Sequence, residues 1–119
     1  MTKTLKEKLQ MKEGQSIFVL NPPEGYLGLL GIDPSQDNID VLQVFIETFA
    51  ELKEAFSLYL PRLKAKGIVW VSYPKLSSLK KVEGLHRDTL ADFVKGFGWQ
   101  PVAICAVDDT WSALRLKKL

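Results

Sequence analysis

The residues best equipped for chemistry follow directly on runs of apolar residues. Asn21, Glu24 and Tyr26 come after Ser16-Ile17-Phe18-Val19-Leu20, and Glu47 and Thr48 come after residues 39–46. Ser72, Tyr73 and Lys75 close the run 67–74; Asp108, Asp109 and Thr110 follow the run 99–107, with Trp111 just beyond. If these runs are parallel strands, the loops at their carboxyl ends gather on one edge, where open α/β sheets hold ligands. Lys75 with Asp108 or Asp109 could anchor an anionic or amine-bearing ligand there; the ordinary structural use of the same groups is a salt bridge beside a turn. Asp108 and Asp109 are a poor metal set, because two adjacent carboxylates need further ligands, and no metal is expected. Tyr26 and Tyr73 could stack on a planar ligand or simply pack under loops. His86, the only histidine, opens a helix with Arg87 and Asp88. A general base needs a partner and a pocket, and no suitably placed Ser, Cys or second His accompanies it. No catalytic residue is assigned.

The elements that must position these residues are readable from periodicity. Thr4 and Glu7 have capping-box spacing, which predicts a short helix over residues 4–10. The continuous apolar run 16–20 predicts a buried first strand. Pro22 and Pro23 forbid further pairing, and Pro23 could stand in the first turn of a short helix that carries Leu27, Leu29 and Leu30 and ends at Gly31. Residues 39–46 predict the second strand. Phe49, Leu52, Phe56, Leu60 and Leu63 form one helical stripe, which predicts a helix over 47–65, with a kink or a restarted final turn at Pro61 and Gly67 as its cap. The stretch from Gly67 to Lys75 reads as a central strand buried on both faces. Residues 76–85 suggest a loop, with or without one helical turn. A helix starts near His86 or Asp88, with Leu90, Phe93, Val94 and Phe97 on one face and Gly98 as its stop. Residues 99–107 and 110–117 form two strands around the Asp108-Asp109 turn, so short a connection that they must be antiparallel. Strand-helix alternation of this kind predicts a parallel α/β sheet with right-handed crossovers and one antiparallel strand.

The 119 residues suffice for one domain with a real core and are too few for two. Sixteen basic against 14 acidic residues give a net charge of +2, too balanced to imply nucleic acid or an anionic membrane. The basic cluster Arg115, Lys117 and Lys118 reads as a solubilising end to the last strand. Cys105 stands alone within an apolar run and reads as an inert buried thiol. The absence of disulfides, of a secretory apolar region and of any run approaching the ~20 residues that span a bilayer leads to an expectation of a cytoplasmic protein.

Two resemblances follow. Residues 60–71, a helix leading through a Lys-Gly turn into a strand, and the hairpin over 102–116 resemble the end of a class I methyltransferase domain. That resemblance implies a three-layer, Rossmann-like fold whose last strand inserts between the third and fourth, giving a five-stranded mixed sheet in the order 1-2-3-5-4. More closely, Pro23-Glu24-Gly25-Tyr26, Trp70-Val71-Ser72-Tyr73-Pro74-Lys75 and the segment 108–115 resemble a family of short bacterial proteins that carries no established activity. The departures from a working methyltransferase are specific. Its glycine-rich first loop, which lets backbone approach the cofactor, is replaced by Asn21-Pro22-Pro23-Glu24, whose prolines lack amide donors. About eighteen residues separate the first two strands, leaving no room for the family's acid-tipped second strand. The switch-point crevice is then lost. Asn21-Pro22-Pro23 is similar to the Asn-Pro-Pro-Tyr motif of amino-methylating enzymes, but it follows the first strand rather than the fourth and ends in Glu24.

These readings converge on a binding or protein-interaction module derived from a methyltransferase-like fold, with no cofactor. The alternative is a small ligand-binding protein or enzyme using Glu24, Tyr73, Lys75 and Asp108. Strand one would be a sheet edge, which must be covered or paired; the N-terminal helix could do so, or a second copy of the chain as a homodimer.

Overall fold

The computed structural model describes residues 4–12, 14–30, 37–75 and 82–119. Its elements run α1 (Leu5–Lys8), β1 (Ile17–Leu20), α2 (Tyr26–Leu30), β2 (Ile39–Phe45), α3 (Phe49–Tyr59), β3 (Leu63–Pro74), α4 (Arg87–Lys95), β4 (Trp99–Ala106) and β5 (Trp111–Lys118). The five strands form one sheet in the order β1-β2-β3-β5-β4. β1, β2 and β3 are parallel neighbours, and β5 pairs antiparallel with both β3 and β4. The sheet order that the methyltransferase resemblance implies is the one observed.

Side chains alternate across a strand, so each strand feeds two cores. Leu42, Val44, Val69, Val71 and Leu114 pack under α3 and α4 with Leu52, Phe56, Leu90 and Val94. Val19, Val41, Phe45, Trp70 and Ala113 pack on the other face with Leu9, Met11 and Tyr26. The sheet is thus covered on both sides, giving three layers.

α2 therefore lies on the opposite face from α3 and α4. All three connections join parallel strands and run in the same direction along the sheet, so uniform right-handed crossovers would place all three helices on one face. The handedness rule rests on a crossover helix long enough to pack back on the sheet. α2 has five residues, and its placement follows from Tyr26 being drawn into the α1-side core.

Three boundaries differ from the sequence reading. Pro61 lacks an amide and obstructs the preceding turn, so α3 stops at Tyr59, a single 3-10 turn covers Leu60–Arg62, and Leu63 is already extended (φ −81°, ψ 135°). Residues 63–66 thus open β3 instead of closing a helix, and Gly67 is no helix cap. Ile39 faces Leu63 while Val41 faces Ile68, so residues 64–67 bulge opposite the single Asp40. A Cβ on Gly67 would lie 2.5 Å from Leu63 Cγ and Cδ1, so only glycine lets that side chain fold over the bulge. Pro23 does not start α2 either. Its carbonyl accepts the Tyr26 amide at 3.0 Å, and Gly25 at the third position of that turn has φ +79°, as a type II turn requires. Residues 31–36 and 76–81, which include the expected Gly31 stop and most of the expected loop 76–85, lie outside the described residues.

Two local devices fix the approach to the sheet. The Thr4–Glu7 capping box forms as its spacing predicts. Asp40 Oδ2 accepts the Ser16 amide at 2.8 Å, and its carboxylate pairs with Lys64 Nζ at 3.1 Å, joining the entry of β1 to the bulge of β3. The Ser16 amide, and then Lys64, hold the Asp40 carboxyl below its ordinary 3.8. A lowered carboxyl pKa contributes stability above the unfolded value and loses it as pH falls through the folded one. Asp40→Asn should therefore cost stability at neutral pH but flatten the acid limb below pH 3.8. Denaturant midpoints measured across that range check this; parallel wild-type and variant curves would refute it.

Candidate functional site

The polar strand ends do not converge on one place. The sheet divides them into two groups, one on each face.

On the α1 side, the turn at Gly25 swings Tyr26 inward until it is 5% exposed. Its hydroxyl donates to Gln43 Oε1 at 2.7 Å, and Gln43 Nε2 donates to Ser72 Oγ at 3.0 Å. Gln43 and Ser72 are fully buried, so each group in this chain depends on the next. The Tyr26 ring meets Phe45 edge-on at 4.8 Å, and Phe45 meets Trp111 edge-on at 5.1 Å. Burial pushes the Tyr26 phenol pKa well up, with smaller contributions from Cys105 and Asp108. Asp108 Oδ1 accepts the amides of Thr110 at 2.7 Å and Trp111 at 2.8 Å, so its carboxylate shapes the hairpin turn. Asp109 is exposed beside it, and Glu24 is exposed at the tip of its own turn. Asn21 adopts φ +55° as the chain leaves β1; it belongs to the other face, where it lines a hollow of about 290 Å³ with Leu20 and the α3 residues Glu51, Glu54 and Tyr59. Thr48 caps α3 by accepting the Glu51 amide at 3.1 Å, and the Glu47 amide donates to Glu51 Oε1.

On the α4 side, Tyr73 and Lys75 line a cleft of about 480 Å³ with His86, Arg87, Asp88 and Ile104. Ser112 completes its described wall. β3 supplies the tyrosine, the residue just past its end is the lysine, the start of α4 supplies His86, Arg87 and Asp88, and the hairpin supplies the floor. The Lys75 amide donates to Thr110 O at 2.8 Å, which fixes the backbone beside the turn, yet among the described residues no ion pair joins Lys75 to Asp108 or Asp109. Arg87 Nε lies 3.8 Å from Asp88 Oδ1, with both side chains exposed. The Thr89 hydroxyl accepts the His86 amide at 3.1 Å and donates to Gly84 O at 2.7 Å, holding the helix entrance. Burial raises the Tyr73 phenol pKa, with Arg87 opposing and Asp88 adding to the shift.

The sequence reading therefore named members of both groups but paired them across the sheet. It missed Gln43, whose signal was a lone amide flanked by Val41, Leu42, Val44 and Phe45; such a residue needs a buried partner. It set Arg87 and Asp88 aside with His86 as a helix opening, although that opening faces the cleft. Cys105 is partly buried, and burial raises its thiol pKa. Among the described residues, no three His, Cys, Asp or Glu side chains gather as a metal site, and no helix is long and apolar enough to cross a membrane.

No family model and no curated protein matches the chain. Solved structures do. A protein of the NADB-Rossmann superfamily from Streptococcus agalactiae superposes with a TM-score of 0.57 at 9% identity, over 99% of this chain and 68% of that one. The B. subtilis tRNA methyltransferase TrmK gives 0.57 at 9% identity, over 99% and 66%. A precorrin-6y methyltransferase from Geobacter metallireducens gives 0.58 at 10% identity, over 97% and 86%. At such identities the likeness concerns the fold alone: the chain has a Rossmann-like sheet of the kind found in methyltransferases, with β1 as its edge strand among the described residues.

Proposed function

We propose that the chain is a binding module built on a methyltransferase-like platform, not a methyl-transfer enzyme. The carrying observation is Tyr26. The loop after β1 is where such folds bring backbone amides to a cofactor. Here that loop carries two prolines and then turns an aromatic ring into the sheet. Its hydroxyl is tied to Gln43, and the ring meets Phe45 edge-on at the carboxyl end of β2. Tyr26 occupies this place with the protein's own side chain, and displacing it would leave the buried Gln43 Oε1 without its donor. The cleft on the other face, lined by Tyr73 and Lys75, carries polar groups free to engage a ligand.

The test is titration with S-adenosylmethionine and S-adenosylhomocysteine, followed by calorimetry and by thermal unfolding. Neither compound should release binding heat or raise the melting temperature. Saturable binding of either one, accompanied by amide shifts at Tyr26 and Gln43, would overturn the reading.

A further inference from the structure

Tyr73 is 5% exposed and packs in the α4-side core. Its hydroxyl makes no hydrogen bond among the described residues. No buried side-chain oxygen or nitrogen there lacks a partner, so this hydroxyl is not sealed in; it opens into the cleft that Tyr73 lines. A ring held in the core that presents its hydroxyl at a cavity wall is a fixed donor for whatever enters the cleft. Burial keeps the phenol protonated across the neutral range, so the group is available as a donor.

The surroundings set the sign of what it would meet. Lys75 Nζ takes part in no ion pair or hydrogen bond among the described residues. Arg87 and Asp88 stand in the first turn of α4, a nine-residue helix, whose opening amides and dipole favour negative charge. Asp88 is the one acid in the described wall, and it is offset by Lys75 and Arg87. Ile104 gives the cleft an apolar side. At about 480 Å³ it falls in the range of small-molecule sites.

We infer that this cleft binds a small organic oxyanion, its charged end held by the Tyr73 hydroxyl, Lys75 and Arg87 and its apolar part laid against Ile104. The inference rests on the chain being a binding module and names the class of its ligand. A methyl donor bound at Tyr26 would refute that module reading without touching this cleft, so the two can fail separately.

The test is a titration of the isotope-labelled full chain with phenyl phosphate, inorganic phosphate and benzoate at low ionic strength, followed by amide shifts. Saturable shifts at Tyr73, Lys75 and residues 86–89 are expected with at least one aromatic anion. Phenyl phosphate with inorganic phosphate assigns the head group as phosphate, and benzoate alone assigns it as carboxylate. Tyr73→Phe and Lys75→Gln should each weaken binding by about tenfold or more, as expected for a hydrogen bond to a charged group. Tyr73→Phe should leave the melting temperature unchanged, because the hydroxyl supports nothing inside the protein. Absence of saturable shifts with all three probes overturns the inference. So does binding that is indifferent to both substitutions.

Discussion

Gln43→Ala is expected to destabilise the protein by about 3–5 kcal/mol and to lower its melting temperature by roughly 10–20 °C. Three costs combine. The truncation leaves a void in a fully buried strand between Val19 and Trp70. The Tyr26 hydroxyl loses its acceptor and the Ser72 hydroxyl its donor, both in the interior. Orphaned buried groups cost about 1–3 kcal/mol each, although such terms do not simply add. Gln43→Met separates void from polarity: it nearly conserves volume and should still cost about 2–3 kcal/mol. Adding Tyr26→Phe and Ser72→Ala to Gln43→Met removes the orphans and should restore much of that loss, since replacing every partner of a buried network with apolar groups can be nearly neutral. Chemical denaturation of the four proteins checks the series. If Gln43→Met is as stable as wild type, the network does not hold the Tyr26 side closed.

Trp70→Phe is expected to cost about 2–3 kcal/mol and to release α1 selectively. Trp70 is central in β3, and its indole Nε1 donates to Leu9 O at 2.9 Å across 61 residues of sequence. α1 has four residues, far short of what stands alone in water. Its capping box secures one end. At the other end Gln10 takes φ +59° while the Met11 amide reaches Lys6 O and the Gln10 amide reaches Glu7 O, a Schellman closure with glutamine where glycine is usual. That closure places Leu9, which is fully buried, over the indole. Without the indole donor, the Leu9 carbonyl is left in the interior unpaired. Hydrogen exchange should therefore accelerate at residues 8–11 well before the sheet is affected. Uniform loss of protection throughout the sheet, or none at α1, would show that this contact does not anchor the helix.

Much of the fold was legible because its causes are local. Burial on both faces makes parallel strands read as unbroken apolar runs, so β1, β2 and the heart of β3 stand out. The two-aspartate turn forces an antiparallel hairpin, and Asp108 does serve the backbone there. Thr4 with Glu7, and His86 ahead of Arg87, mark helix starts through capping chemistry that depends on neighbours a few residues away. The extent of α3 was misread because Leu60 and Leu63 continue its spacing by coincidence. Pro61 ended the helix, and pairing with Ile39 decided that Leu63 belongs to a strand.

What the chain's own pattern determined is the set of strands, the closing β4–β5 hairpin and the polar character of the strand ends; the place of β5 beside β3 came from the methyltransferase resemblance. Alternation even shows that Tyr73 shares a face with Val71 and that Trp70 shares the other with Ser72. What tertiary structure alone decided is which of those faces each loop would join. A five-residue helix carries too little surface to dictate its own side, so α2 went where Tyr26 found Gln43, two residues brought together only once β2 is paired on both edges. That choice closed one face with the protein's own side chains and left Tyr73 and Lys75 lining a cleft on the other.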